Sequence, residues 1–197
     1  SQAGVARIRE ETAGLAVGLL VYNAAASYTG PFLAMEPGQG DEIIDVNCRG
    51  LLQLCSHYTP AMVERGRGGI LIMTSAAGLA GAGYGAVYSA SKAFDLALGE
   101  ALFQELAPQH VDVLTYISGA INTPHMKRMG LDVQRLRDFG TPVREPEEVA
   151  LEAVDQLGRA AVWIAGKGHS KVADLLEKAT RADLSERFTR ANLFSAG

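Results

Sequence analysis

The sequence predicts an α/β fold, a doubly wound parallel sheet with helices on both faces, and three observations predict it. Short runs of strand length recur along the chain and are apolar throughout rather than alternating, as strands buried on both faces are. Between them lie longer stretches with apolar residues at three- and four-residue steps, the period of a helix with one buried side. Three runs end in small polar residues: Asn23, Ser75 and Ser118. In such sheets ligands sit beyond the carboxyl ends of the strands, so these three residues face one crevice.

Each element follows in order. Residues 2–12 read as the end of a polar helix, and "VGLLVYN" (17–23) is the first strand. Pro31, Pro37, Gly38 and Gly40 mark a loop. A helix over about 41–64 is predicted by Ile44, Cys48, Leu51, Leu52, Cys55, Met62 and Val63. "GRGG" (66–69) stops it, and "ILIMTS" (70–75) is the second strand. A glycine-rich loop to Gly85 leads into a helix from about Val87 to Leu106, then the third strand, "HVDVLTYIS" (110–118). "EPEEVALEAVDQLGR" (145–159) opens with proline and acids, which suit a helix amino end. "AVWIAG" (161–166) is the fourth strand, and a charged helical tail follows.

The chain has 197 residues, enough for one substantial core, and its whole length reads as a single domain. A hydrophobic fraction of 48% with 20% charged residues is ordinary globular composition. A net charge of −4 argues against a nucleic-acid partner, and no apolar run is long enough to span a bilayer. Cys48 and Cys55 lie two turns apart on one predicted helix and cannot pair; reduced core thiols point to a cytoplasmic protein. His57, His110, His125 and His169 are scattered without metal-ligand spacing, so no metal site is expected.

The stretch "YSASK" (88–92) places Tyr88 and Lys92 one helical turn apart on the same face. A fixed ammonium favours phenolate, which turns a tyrosine into a usable acid or base. Ser75, at the preceding strand end, is placed to hydrogen-bond a substrate oxygen that Tyr88 protonates. Asn47 lies inside a helix, where asparagine is a mediocre helix former, and signals a hydrogen-bonding role or a kink. Taken singly, each has a plain reading: a surface pair, a strand-end hydroxyl, a bend. Their order along one parallel sheet changes that.

Asn47, Ser75, Tyr88 and Lys92 resemble the Asn-Ser-Tyr-Lys tetrad of the short-chain dehydrogenases/reductases, with matching Ser–Tyr and Tyr–Lys spacing. "LVYNAAA" (20–26) is similar to that family's Asn-Asn-Ala-Gly strand end, "VNCRG" (46–50) to its Asn-bearing helix, and "SGAINTP" (118–124) to its Pro-Gly strand end. The resemblance runs from about residue 17 to 166. It implies a Rossmann-like fold and an oxidoreductase that interconverts a secondary alcohol and a ketone with NAD or NADP. Tyr88 would be the acid/base, and Lys92 would aid it while binding the nicotinamide ribose. Ser75 would orient the carbonyl, and Asn47 would hold a water that relays protons. Ile121 and Thr123 match positions at the nicotinamide amide, Asn23 and Ala24 positions on the adenosine side.

The family opens with a strand, a Gly-rich turn and a helix that receive the pyrophosphate. "GLAGAGYG" (78–85) lacks that turn's spacing and context. The expectation is therefore that these N-terminal strands precede residue 1, in roughly sixty to eighty further residues. Tyr22, Ala25 and Ser118 depart from the family's strand-end residues, but no catalytic group is lost. The carboxyl end is more similar to the tails of lipid- or acyl-type ketone reductases. Epimerase or dehydratase chemistry would need a longer substrate domain. A relative without the cofactor half would instead be a non-catalytic binding or dimerisation protein.

Residues 124–144, with His125, Met126, Met129, Leu131 and Phe139, are expected to cover the substrate, and methionines there suit an apolar one. Ala90, Ala93, Ala97 and Ala101 would let a partner helix approach closely, so a homodimer at least is expected.

Overall fold

The computed structural model describes residues 2–124, 126, 133–138, 142–166 and 179–195. Four parallel strands form the main sheet in the order β1–β2–β3–β6: β1 (Leu19–Tyr22), β2 (Gly68–Ser75), β3 (Val111–Ser118) and β6 (Val162–Ile164). Each lies within or across a segment that the hydrophobic runs marked. Two short parallel strands without such a signal, β4 (Ala120–Ile121) and β5 (Val143–Arg144), pair beside the main sheet's carboxyl edge, after β3.

The pleat of β2 shows how both faces are filled. Ile70 and Ile72 pack with Leu51, Leu54, Cys55, Tyr58 and Met62 of α3 (Leu51–Arg65) and with Val5 of α1 (Gln2–Glu11). Leu71, one residue out of phase, faces the other way and joins Leu114 and Tyr116 against Val149 and Ala153 of α6 (Pro146–Gln156). Helix α4 (Ala86–Leu106) shares the first face with α3. At the carboxyl end of the sheet, Leu79, Ile117 and Val162 close on Leu184 of α7 (Arg181–Ser195). The segment Val133–Asp138 forms α5. No described helix is long and apolar enough to cross a membrane.

The long helix expected over 41–64 is not one regular helix. It consists of α2 (Gln39–Ile44), a π-helical turn (Asp45–Gly50) and α3, which run on without a break. A π turn loosens the hydrogen-bond ladder locally and is often found at functional sites. Here the Tyr22 hydroxyl, brought from β1, donates to the Val46 carbonyl inside it. Gly50 leaves the room, since a Cβ there would lie 2.5 Å from the Tyr22 hydroxyl oxygen.

Strand β1 pairs only with β2 among the described residues. Leu20 and Tyr22 are buried on the α3 side, whereas Leu19 and Val21 on the opposite side are 41% and 49% exposed.

Candidate active site

The carboxyl ends of β1, β2 and β3 open into one cavity of about 960 Å³, within the usual size range of small-molecule sites. Asn23, Ser75 and Ser118 line it, as their strand-end positions implied. Tyr88 and Lys92 reach it from α4, Ile121 and Thr123 from the segment after β3. The structure thus brings seven polar or strand-end positions, scattered over a hundred residues, to one cavity.

Local geometry explains how α4 is held. The Ser75 hydroxyl accepts from the Ala77 N–H at 3.3 Å and caps a 3₁₀ turn, Ala76–Leu79. That turn runs hard against α4: a Cβ on Gly78 would lie 2.6 Å from the Lys92 carbonyl oxygen. The Thr74 hydroxyl donates to the same carbonyl at 3.0 Å. Further along, Gly99 lets the helix touch the sheet, since a Cβ there would lie 1.8 Å from the Thr115 hydroxyl oxygen.

Lys92 is buried, with its side chain 4% exposed. Its Nζ lies 6.0 Å from the Tyr88 ring centroid and donates to the Met73 carbonyl at 3.2 Å. It also donates to Asp95 Oδ2 at 2.8 Å. Burial, opposed by Lys92, pushes the Asp95 carboxyl up to about 6. Asp95 carried no signal in the sequence beyond its spacing from Lys92, which a solvated pair would share.

Asn47 and Ala24 are not in the cavity wall. Ala24 is exposed beside it. Asn47 is fully buried in the π turn, and its amide is committed. Oδ1 accepts from the Ala26 N–H at 2.7 Å, while Nδ2 donates to the Ala26 carbonyl at 3.0 Å and to Ser91 Oγ at 2.8 Å. Ser91 in turn donates to the Tyr88 carbonyl at 2.7 Å. The Asn47 side chain therefore ties the loop after β1 to the turn of α4 that bears Tyr88, and Ser91 is the link that sequence reading missed. Both side-chain hydrogens of Asn47 are engaged in these bonds.

The lining also has apolar members: Met126, Leu136 and Phe188, joined by Tyr28 and Asn192. Of the covering segment, Met126 is buried, while His125, Met129, Leu131 and Phe139 lie outside the described residues. Phe188 and Asn192 come from α7, which the sequence showed only as a charged tail. Its Thr189 Oγ1 accepts from the Gly83 N–H at 2.8 Å, and Asn192 donates to the Gly83 carbonyl at 2.9 Å. The described residues contain no cluster of three or more His, Cys, Asp or Glu side chains placed to hold a metal.

A second polar network borders β5. Glu152 accepts from Tyr116 at 2.6 Å, from Trp163 at 3.1 Å, from the Gly166 N–H at 3.0 Å and from Arg144. Burial works to raise this carboxyl, and those donors together outweigh it, holding it at about 2.

The family model described as short chain dehydrogenase matches residues 1–134, most of the chain, a span that includes positions 47, 75, 88 and 92. The chain belongs to that family. A very-long-chain 3-oxoacyl-CoA reductase from Podospora anserina is 38% identical over 123 residues, 61% of this chain and 36% of that protein. An acetoacetyl-CoA reductase from Paracoccus denitrificans is 33% identical over 173 residues, 85% of this chain and 70% of that one. Among solved structures, a short-chain dehydrogenase from Sphingobium yanoikuyae in complex with NADPH superimposes with a TM-score of 0.76 at 27% identity. That match covers 92% of this chain and 70% of the other. The chain thus spans about a third of the length of the Podospora relative. The helix-covered parallel sheet read from the strand pattern, and the Rossmann-like fold that the resemblance implied, are the family's own.

Proposed function

We propose that the protein is an NAD- or NADP-dependent oxidoreductase interconverting a secondary alcohol and a ketone, with Tyr88 as the acid/base. The observation that carries this reading is the meeting of Ser75, Tyr88 and Lys92 on one cavity at the carboxyl ends of three parallel strands. The residues present fit the nicotinamide end of such a cofactor. Ala25, Ala76, Gly119 and Ala120 keep the cavity wall close to the backbone, and Ile121 and Thr123 stand where the amide would be held. Asn23 and Ala24 border the adenosine side. When bound, the nicotinamide gives or takes the hydride.

The chain's own residues handle the proton. In reduction, the Tyr88 hydroxyl passes its proton to the carbonyl oxygen as that oxygen gains charge, and in oxidation the phenolate takes it back. Ser75 holds the same oxygen, and the Lys92 ammonium stabilises the phenolate. Asn47 acts at one remove by fixing the Tyr88 turn through Ser91.

Met126, Leu136 and Phe188 add apolar side chains to the cavity lining, which favours a ketone with an apolar substituent. The relatives described as 3-oxoacyl-CoA and acetoacetyl-CoA reductases support a carbonyl substrate. The edge of β1 away from β2 would accept further strands of the protein, and the exposed Leu19 and Val21 a covering helix, which together would complete the dinucleotide site. The exposed Ala90, Ala97 and Ala101 on α4, with Phe94 and with Leu52 of α3, would form a homodimer surface. Two unpaired buried thiols, Cys48 and Cys55, fit a cytoplasmic setting.

The test is turnover by the full-length protein, with NADH and NADPH, over a panel of small and long-chain ketones. Activity is expected with at least one pair, and Tyr88→Phe should lower kcat by about 10²–10⁴-fold. A cofactor-saturated protein inactive on the whole panel, or a fully active Tyr88→Phe variant, would sink the reading.

A further inference from the structure

Beneath the Tyr88–Lys92 pair lies a buried carboxylate that the hydride chemistry leaves unused. Asp95 follows Lys92 by three residues on α4, and its side chain is 1% exposed. Oδ2 accepts from Lys92 Nζ at 2.8 Å, whereas Oδ1 is buried with no hydrogen-bond partner. A half-satisfied buried ion pair is a poor source of stability, because desolvating both charges offsets most of their attraction. Its position gives it another use.

The ammonium stands 6.0 Å from the Tyr88 ring centroid. The Asp95 carboxylate is bonded to that ammonium at 2.8 Å, so its Oδ2 lies no more than about 9 Å from the same ring centroid. The two charges act on a developing phenolate with opposite sign. By distance alone, the carboxylate cancels more than half of what the ammonium contributes. The groups whose charges couple to Asp95 are Tyr22 on β1, Cys48 in the π turn, Cys55 on α3 and Lys92 on its own helix. Burial pushes Tyr22 and Cys55 up to about 12 and Cys48 up to about 11, so all three are neutral at ordinary pH. Asp95 is the group left to set against Lys92.

We propose that Asp95 is a positioning residue for Lys92: it anchors the ammonium beside the Met73 carbonyl and offsets part of its charge. Proton exchange at Tyr88 then runs at a higher pH than Lys92 alone would set. The proposal rests on the reading of Tyr88 and Lys92 as the catalytic pair. It makes Asp95 the residue that matches this pair to its working pH.

The experiment uses full-length Asp95→Asn, which keeps the shape and removes the charge. Tyrosinate absorbance is followed against pH in the cofactor-free protein, with Tyr88→Phe identifying the Tyr88 component. The midpoint of that component should fall by about one pH unit in Asp95→Asn. The acid-side limb of kcat/KM for alcohol oxidation should move the same way. Asp95→Glu retains the charge and should restore the wild-type midpoint. An unchanged or higher midpoint in Asp95→Asn, or a Glu variant that behaves like Asn, overturns the proposal. If Asp95→Asn does not fold, Asp95→Ser takes its place in the titration: a lower midpoint supports the proposal, and an unchanged or higher one overturns it. Absence of turnover in the wild-type protein would sink the oxidoreductase reading, and the absorbance titration would still decide the role of Asp95.

Discussion

Replacing Asn47 by alanine removes three hydrogen bonds in one step: from the Ala26 N–H at 2.7 Å, to the Ala26 carbonyl at 3.0 Å and to Ser91 Oγ at 2.8 Å. Each such bond contributes about 1 kcal/mol net, and Asn47 is fully buried, so the loss should come to about 3 kcal/mol. In a domain of this size that corresponds to a Tm about 6–12 °C lower. The measurement is thermal unfolding of the full-length protein by circular dichroism, with kcat in parallel. Because Ser91 also holds the Tyr88 carbonyl, kcat should fall together with Tm. A variant within about 2 °C of wild type that had nonetheless lost its activity would refute the pinning role. It would favour the water-holding role that the family resemblance implied.

Two further outcomes test other parts of the molecule. Glu152 has a folded value of about 2, below the ordinary carboxylate value, so its contribution is present above about pH 4.5 and is lost as pH falls toward 2. Glu152→Gln should therefore cost about 2–3 kcal/mol at pH 7 and flatten the fall of Tm between about pH 5 and 2.5; equal slopes for variant and wild type would count against it. Ala97→Arg puts a charge on the exposed face of α4 and should convert a dimer to a monomer by light scattering without lowering Tm, whereas a monomeric wild-type protein would end the dimer proposal.

The strands were legible because a segment buried on both faces carries apolar residues in runs rather than in strict alternation, as "ILIM" (70–73) does. The Tyr88–Lys92 pair was legible because helix geometry alone puts positions four apart on one face. The π turn was not, since Ile44, Cys48 and Leu51 keep a helical rhythm through it while the carbonyl at Val46 turns to the Tyr22 hydroxyl. The role of α7 was hidden for a different reason. Its Thr189 and Asn192 bond to Gly83 across more than a hundred residues, a contact for which local periodicity holds no information. Asn47 was singled out for the right oddity, a polar residue inside a helix, but its partners Ala26 and Ser91 belong to other elements.

The small residues of α4 show why one composition served two ends. Ala90, Ala97 and Ala101 lie on the exposed side, where the proposed dimer surface would use their smallness. On the buried side the same smallness sets the depth of the helix. Gly99 faces the Thr115 hydroxyl, and Gly78 of the preceding turn meets the Lys92 backbone at distances no Cβ could occupy. That close approach lets the Thr74 hydroxyl hold the Lys92 carbonyl and brings the Met73 carbonyl within reach of Nζ. A helix one methyl group further from the sheet would lose both contacts, and the ammonium would be held by Asp95 alone. The glycines therefore position Lys92 as directly as any polar side chain does, and the buried face of α4 is polar around that lysine while Leu98, Leu102, Phe103 and Leu106 further along it pack into the hydrophobic core.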